Sequence, residues 1–348
     1  MKSLRFKKGL CVLTVSVLTL GTGTVGVGAA QIDAPFVGAD IAAQPTTDNS
    51  LPVAYSSRNF GYVTSVKTQD YSSCWAFAGL ATLESALLRR GYAAEDMSTN
   101  HLNIWATPHA DGTGWQRYVS SEGYPKIALG YMTSWQGGVF ASDVPGLPLS
   151  DDIGSDNLPD APVRYGVTSV KYLSNDDPDE IKHSIMDFGG VYTSYAQTSD
   201  CMSSDGLSYY MPANYSKGGY SGHSIEIVGW DDNYPRERFG DNNPLPEHNG
   251  AWLIKNSWGS NNALGGFFWM SYETAFLFGT KYSPSYTITG VEELDGSKQL
   301  LQNEIYGATY EFSYLEDPKV TYMNHFAFDD EFRVIDKVVF NTNSTGAA

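Results

Sequence analysis

Cys74 lies in the run QDYSSCWAFA, where polar turn residues precede an apolar helical pattern. The first turn of a helix carries unpaired N–H groups and a partial positive charge, which favour a thiolate over a thiol. Because a thiolate is a nucleophile, this position predicts a cysteine that takes part in covalent chemistry. The alternative is a small buried hydrophobe, which is the commonest role of an unpaired cysteine.

A nucleophilic thiol needs a base, and the base needs a group that orients it. His223 precedes a strand-like run in GGYSGHSIEIVGW, and Asn256 lies at the end of another in AWLIKNSWG. An amide that accepts a hydrogen bond from the imidazole would fix its tautomer. Gln69 precedes Cys74 and could offer a side-chain N–H to a developing oxyanion. The other histidines lack such a setting and are predicted at the surface; they are His101, His109, His183, His248 and His325.

Helical and strand-like patterns divide the chain into two halves that would position these groups. Apolar spacing predicts helices over 74–90, 124–135 and 176–188. Short aromatic and β-branched runs predict strands at 189–195, 223–230, 251–258 and 267–272. A helical half followed by a stranded half predicts an α+β fold of two packed subdomains with a cleft between them. Cys74 then lies on one subdomain and His223 on the other.

The two ends of the chain differ in composition from the middle. Residues 1–30 are basic, then apolar, then small, which predicts a secretory signal peptide. The polar segment 31–50 predicts a linker, and the main domain is expected at 51–283. Residues 284–348 predict the start of a β-sandwich that is incomplete in this chain. No later stretch is apolar enough to predict a transmembrane helix.

Charge and cysteine content restrict the partners. The net charge is −17, which disfavours nucleic acid and anionic membranes as partners and suits an extracellular protein. Cys74 and Cys201 follow the predicted signal peptide, and a disulfide between them is the alternative to a free nucleophile. The run 231–233 lacks the spacing of a calcium loop, so a solvated turn is predicted there. Neither a metal nor another cofactor is expected.

Several short runs together resemble the papain-like cysteine peptidases. They are LP at 51–52, RNFGYVTSVKTQ at 58–69, CWAF at 74–77, EGYP at 122–125, VGW at 228–230 and KNSWG at 255–259. The resemblance implies a papain-like α+β fold with a helical left subdomain and a β-barrel-like right subdomain. It implies Cys74 as nucleophile in a thiolate–imidazolium pair, His223 as general base and acid, and Asn256 as the orienting group. It also implies Gln69 as an oxyanion donor and the Gly123 backbone as a partner of a peptide substrate.

A narrower resemblance concerns bacterial secreted members of this family that carry a C-terminal lectin-like β-sandwich. The runs VGWDDNY and GAWLIKNSWG are similar to those proteins, and NHFAFDDEFRVIDKVVFNTNS is similar to the opening of the sandwich. The resemblance implies a secreted or cell-surface location. It implies a protein or peptide substrate, and a glycan or cell-surface ligand for the C-terminal region.

The chain departs from the family pattern next to the nucleophile. Cys74 follows Gln69 by five positions instead of six, and the loop between them has no glycine. Loss of one oxyanion donor costs about 2.7–4 kcal/mol in the transition state, so a displaced Gln69 would leave a weak enzyme. Glu122 replaces a family glycine in the substrate wall, where it either selects basic side chains or faces water. Trp258 is expected to cover Asn256 and to border the substrate.

Three functions therefore stay open. A secreted cysteine endopeptidase, acting through an acyl-thioenzyme on Cys74, is favoured by the complete Cys, His and Asn set. A catalytically weak papain-like scaffold, acting as an extracellular or cell-surface lectin or adhesion protein, is favoured by the shortened loop. A cysteine hydrolase of cell-wall peptides on an unrelated fold would not explain the run KNSWG.

Overall fold

The computed structural model describes six long stretches of the chain. They are residues 50–110, 114–150, 154–174, 177–240, 244–277 and 285–295, with residues 298 and 300 and the backbone of 11–16 and 321–326. The predicted linker lies outside the described residues apart from its last residue, as do most of the predicted signal peptide and β-sandwich. The division of the chain into these segments stays a prediction.

Four α-helices occur in the described residues. They are α1 (Cys74–Arg89), α2 (Thr99–Trp105), α3 (Pro125–Thr133) and α4 (Pro178–Phe188). The three predicted helices are confirmed with ends within two residues. Helix α2 was not predicted, because its seven residues are too short to show a clear periodicity. Ser98 caps it by accepting a hydrogen bond from the His101 N–H at 3.1 Å.

Helix α1, which begins with Cys74, is fixed inside the protein. Its side chains Leu80, Leu83 and Leu87 are all buried. Helix α3 passes so close that a Cβ on Gly79 would lie 2.6 Å from Ala128. Gly91, with φ of +81°, follows the end of the helix, in a backbone region that glycine adopts without strain. The residues of α1 that are not fully buried lie at its two ends, and those at its start are Cys74 and Phe77.

The strands form one large sheet and one separate pair. In chain order they are β1 (Cys11–Ser16), β2 (Ala54–Ser56), β3 (Tyr165–Tyr172), β4 (Val191–Gln197), β5 (Ser208–Tyr209), β6 (Ser221–Asp231), β7 (Ala251–Lys255), β8 (Phe267–Ser271), β9 (Tyr286–Glu293) and β10 (Thr321–Phe326). Strand β1 pairs only with β10, in antiparallel register. The eight-stranded sheet has the order β3-β9-β4-β6-β7-β8-β5, with β2 paired to β6. The predicted strands correspond to β4, β6, β7 and β8.

Strand β9 lies in the large sheet between β3 and β4, and it pairs antiparallel with both. Its residues 286–293 follow the boundary that the sequence predicts at 283/284. Ile288 and Val291 of this strand are buried in the same core as α1. We therefore propose that the main domain extends to about residue 293.

The prediction that the remaining histidines lie at the surface is wrong for His101. Its side chain is buried on α2, and its Nδ1 lies 2.8 Å from the Tyr131 hydroxyl. Burial lowers the pKa of His101 to about 4. A buried, neutral imidazole that forms a hydrogen bond with a tyrosine has a structural role in the core, so His101 is not a candidate for catalysis.

A buried carboxylate joins the helical part to the sheet. Glu84 of α1 accepts hydrogen bonds from Lys67 Nζ at 2.5 Å and from the Met97 N–H at 2.8 Å, and the Thr64 hydroxyl also donates to it. Lys255 Nζ, at the end of β7, lies 3.8 Å away. Burial alone would raise the pKa of Glu84, but the two lysines outweigh it and hold the pKa below its ordinary value. These contacts hold Lys255, the residue directly before Asn256, against helix α1.

A second buried carboxylate faces the same lysine without comparable support. Glu226 on β6 is fully buried, and its nearest oxygen lies 4.0 Å from Lys255 Nζ. Among the described residues, neither of its oxygens makes a well-formed hydrogen bond, although the Ser85 hydroxyl faces it. Burial raises the pKa of Glu226 to about 7. The two carboxylates therefore have opposite effects on stability near neutral pH.

Membrane-spanning helices and clusters of metal ligands are both absent from the described residues. None of their helices combines the length and the apolar character that a membrane crossing requires. Within the same residues, no three His, Cys, Asp or Glu side chains come together as metal ligands could.

Candidate active site

The nucleophile candidate Cys74 is the first residue of α1 and is partly buried. Neither Cys74 nor Cys201 forms a disulfide, so the alternative of a disulfide between them is wrong. The residue before it, Ser73, occupies the capping position, but its hydroxyl donates to the Asp70 carbonyl instead of capping the helix. The helix N-terminus is thus left available to the sulfur.

The protonation of Cys74 differs from the thiolate that the helix position predicts. Burial raises the pKa of the thiol above its ordinary value, and the negative charge of Glu122 adds to this effect. Hydrogen bonds from the backbone and hydroxyl of Ser224 and from the Trp75 backbone lower the pKa, but burial outweighs them. The resting site therefore favours a neutral thiol, and the proton has to leave during the reaction.

The base candidate His223 lies near the start of β6 with 5% of its surface exposed. Its Nε2 lies 2.8 Å from Asn256 Oδ1, which also accepts the Ser257 N–H at 2.8 Å. Because an amide oxygen can only accept, the network assigns the proton of a neutral imidazole to Nε2. Nδ1 is then unprotonated and can accept a proton, as a general base must.

Aromatic rings enclose the imidazole. The Trp258 ring stacks on His223 with centroids 4.6 Å apart, and the Tyr195 ring meets it edge-on at 5.7 Å. This burial lowers the pKa of His223 to about 4, although the bond to Asn256 raises it somewhat. The imidazole is therefore neutral over most of the pH range, which suits a proton acceptor. Trp258 is itself 43% exposed, so it can cover the histidine and still meet a substrate.

Gln69 is held against the segment that carries Asn256. Its backbone N–H donates to the Ser257 carbonyl at 2.7 Å, and its side-chain oxygen accepts from the Ser257 hydroxyl at 2.6 Å. Its side-chain Nε2 donates to the Tyr71 carbonyl at 3.0 Å. Tyr71, in this loop, has a φ of +53°, a conformation that glycine would adopt without strain. One of the two Nε2 protons is therefore used within the loop.

The substrate-wall candidates lie beside Cys74. A Cβ on Gly123 would lie 2.3 Å from the Trp75 ring, so only glycine fits against the residue that follows the nucleophile. Glu122 is exposed and close enough for its charge to act on the Cys74 thiol. The structure thus brings Gly123 and Glu122 near the sulfur, whereas Trp258 lies near the base.

Sequence reasoning missed the side chains beneath the sulfur. Ser224 contacts Cys74, and the Tyr192 hydroxyl donates to Ser224 at 2.7 Å. The only signal was the position of Ser224 directly after His223 in the run GHSIEIVGW. Successive side chains of a strand point to opposite faces, so His223 lies against Tyr195 whereas Ser224 lies against Tyr192 and Ser194, and the sequence alone does not show which of the two meets the sulfur.

The sequence matches one protein family over most of the described region. Residues 51–288 match the profile of the papain family of cysteine proteases. Falcipain-3 of Plasmodium falciparum is 27% identical over 218 residues, which are 62% of this chain and 40% of falcipain-3. Fruit bromelain of Ananas comosus is 22% identical over 223 residues, which are 63% of this chain and 54% of the bromelain. The chain thus spans about half the length of these curated relatives or less.

Solved structures show the same relationship. The cysteine protease and lectin-like domains of Cwp84, a surface layer associated protein of Clostridium difficile, match with a TM-score of 0.64 and 33% identity. That match covers 76% of this chain and 57% of the Cwp84 chain. A second structure, of clostridial Cwp84 after propeptide cleavage, matches with a TM-score of 0.62 and 33% identity over 72% of this chain and 60% of its own. The expected papain-like α+β fold is confirmed, and the chain belongs to the papain family of cysteine proteases.

Proposed function

We propose that this chain is a secreted cysteine endopeptidase that hydrolyses peptide bonds through an acyl-thioenzyme on Cys74. One observation carries the mechanism. The 2.8 Å bond from His223 Nε2 to Asn256 leaves Nδ1 as the proton acceptor, on the residue next to the one that contacts the Cys74 sulfur. Nucleophile, base and orienting group then act as one unit.

The acylation step follows from two neutral partners. The Cys74 sulfur attacks the carbonyl carbon while its proton moves to Nδ1 of His223. The carbonyl oxygen becomes an oxyanion, for which the Cys74 N–H and a Gln69 Nε2–H are the proposed donors. His223 then gives its proton to the leaving nitrogen, and the C–N bond breaks. The peptide's N-terminal part stays on the sulfur as a thioester.

The deacylation step reverses these roles. Water attacks the thioester carbon while His223 accepts one of its protons. The C–S bond then breaks, the carboxylic acid leaves, and His223 returns the proton to the sulfur. Asn256 holds the imidazole in one orientation through both steps, and Trp258 shields this hydrogen bond from water.

The location and the terminal segments form a further part of the proposal. The basic and apolar pattern of residues 1–30 supports secretion, and Cwp84 is described as surface layer associated. We propose that the segment after about residue 293 opens a lectin-like domain, because the Cwp84 structure contains such domains. A glycan or cell-surface ligand would bind there. For the catalytic cleft, the exposed Glu122 next to the sulfur favours substrates with basic side chains.

The pairing of thiol and imidazole can be tested by alkylation. We expect iodoacetamide to modify Cys74 at pH 6 at least about tenfold faster in the native protein than in a His223→Ala variant. The reason is that Nδ1 can take the thiol proton as the C–S bond forms. The rate is measured between pH 4 and pH 10 by mass spectrometry of the peptide that contains Cys74.

Cys201 serves as the internal reference, because it is a second cysteine that is buried and forms no disulfide. Its alkylation is expected to be the same in both proteins. Equal Cys74 rates in the native protein and the variant, rising only around the ordinary thiol pKa of about 8.5, would overturn the proposed mechanism.

A further inference from the structure

Three hydroxyl groups meet on the side of the sheet that faces the nucleophile. Ser224 of β6 is opposite Ser194 of β4 in the strand register, and their Oγ atoms are 3.3 Å apart. The Tyr192 hydroxyl donates to Ser224 Oγ at 2.7 Å. Ser224 has 8% of its surface exposed and Tyr192 is fully buried. This hydroxyl cluster, formed by Tyr192, Ser194 and Ser224, lies next to Cys74.

The donor and acceptor capacity of a hydroxyl limits the possible directions of these bonds. A serine has one O–H to donate and two lone pairs that accept. Because Tyr192 donates to Ser224, one of the lone pairs of Ser224 is occupied, and its own proton can point to Ser194 Oγ at 3.3 Å or to the Cys74 sulfur. The Cys74 sulfur is within hydrogen-bond contact of both the hydroxyl and the backbone N–H of Ser224. Ser224 can therefore supply two donors to the same sulfur.

Tyr192 is placed to hold this arrangement. Its ring stacks on Tyr286 of β9 with centroids 4.6 Å apart and planes 10° from parallel. Both rings are fully buried, so the Tyr192 hydroxyl has a fixed position. A donor in a fixed position holds the Ser224 oxygen in place next to the sulfur.

We propose that Ser224 is a catalytic residue whose hydroxyl donates to the Cys74 sulfur as the thiol loses its proton, and that Tyr192 is the positioning residue for this hydroxyl. The proposal rests on the nucleophilic role of Cys74 given above and adds a donor to it. A sulfur that receives the Ser224 O–H, the Ser224 N–H and the Trp75 N–H carries negative charge more easily. These donors offset part of the effect of the buried environment and of the nearby charge of Glu122, which both oppose a thiolate.

The test compares three variants that each remove one hydroxyl of the cluster. Ser224→Ala is expected to lower the rate of Cys74 alkylation at pH 6 by about tenfold. The pH at which this rate increases in alkaline solution is expected to rise by about one unit, because one hydrogen bond to a charged group is lost. For a peptide substrate, kcat is expected to fall by about tenfold, with KM within about twofold. Tyr192→Phe is expected to shift the profile in the same direction by a smaller amount. Ser194→Ala is the matched control and is expected to match the native profile.

The outcomes separate this proposal from the proposed function. An unchanged Ser224→Ala profile in a folded protein would overturn the role of Ser224, as would an equal shift in Ser194→Ala. If Ser224→Ala does not fold, Tyr192→Phe decides the question, since it keeps the ring stacked on Tyr286 and removes only the donor. Failure of the proposed function gives a different result: Cys74 is then alkylated at the same rate in the native protein and in the His223→Ala variant. A thermal unfolding curve of each variant confirms that the fold is retained.

Discussion

Replacing Glu84 by glutamine is expected to lower the free energy of unfolding by about 3 kcal/mol at pH 7. The change removes the charge that holds Lys67 at 2.5 Å and Lys255 at 3.8 Å inside the protein. Removing one partner of a buried pair leaves the other charge without compensation, which costs about 3–5 kcal/mol. The lower end is expected here, because Glu226 remains 4.0 Å from Lys255. Urea unfolding followed by tryptophan fluorescence measures the difference.

The matched control is Glu226→Gln, which is expected to act in the opposite direction. Glu226 has a pKa raised to about 7 in the folded protein, above its ordinary value of 4.5. The folded state therefore binds its proton more tightly, and the native protein loses stability as the pH rises from about 4.5 to about 7. The glutamine variant avoids this loss, so its advantage is absent at pH 4.5 and reaches about 3 kcal/mol above pH 7.

The two substitutions are expected to change the free energy of unfolding in opposite directions, and this difference distinguishes the two carboxylates. If both glutamine variants were destabilised by similar amounts at pH 8, the account of this buried cluster would be wrong. If the gain of Glu226→Gln did not change between pH 5 and pH 8, the raised pKa of Glu226 would be wrong, even with the expected sign.

Replacing His223 by alanine is expected to lower kcat/KM for peptide hydrolysis by about 10²- to 10⁴-fold, the usual contribution of a general acid–base group. In the native enzyme, the acidic limb of kcat/KM should lie near pH 4, because burial lowers the pKa of His223 to about 4. Below that pH the imidazole is protonated and cannot accept the thiol proton. An ordinary histidine would place this limb near about pH 6.5.

His248→Ala is the control for this prediction. His248 is exposed and contacts Glu273 at 2.8 Å, on a segment separate from the site residues. Its variant is expected to keep the native rate and pH profile. A His223→Ala enzyme that stays within tenfold of the native rate, or an acidic limb near pH 6.5 in the native enzyme, would contradict the role and the environment assigned to His223.

The elements that carry the site could be predicted from the sequence because their signals are local. The helical spacing after Cys74 and the aromatic strands before and after His223 are visible within short windows. These elements appear in the structure as helix α1 and strands β4, β6 and β7. The resemblance to the papain family then implied how these elements come together, which periodicity alone could not do.

Burial and side-chain contacts could not be predicted, since both depend on the packed fold. The helix N-terminus suggested a thiolate at Cys74, whereas burial raises the pKa of this thiol. Glu226 stands in a strand between Ile225 and Ile227, and nothing in this pattern indicates a carboxylate that faces Lys255. The place of strand β9 between β3 and β4 depends on pairings far away in the sequence, which no local pattern indicates.

The central claim is that this chain hydrolyses peptide bonds through Cys74, and the most direct test is cleavage of a mixture of unstructured peptides. Products are identified by mass spectrometry for the native protein and for the Cys74→Ala and Cys201→Ser variants. We expect cleavage by the native protein and by Cys201→Ser, and no cleavage by Cys74→Ala. Cleavage that persists in Cys74→Ala, or a folded native protein that cleaves no peptide and only binds glycans, would contradict the account.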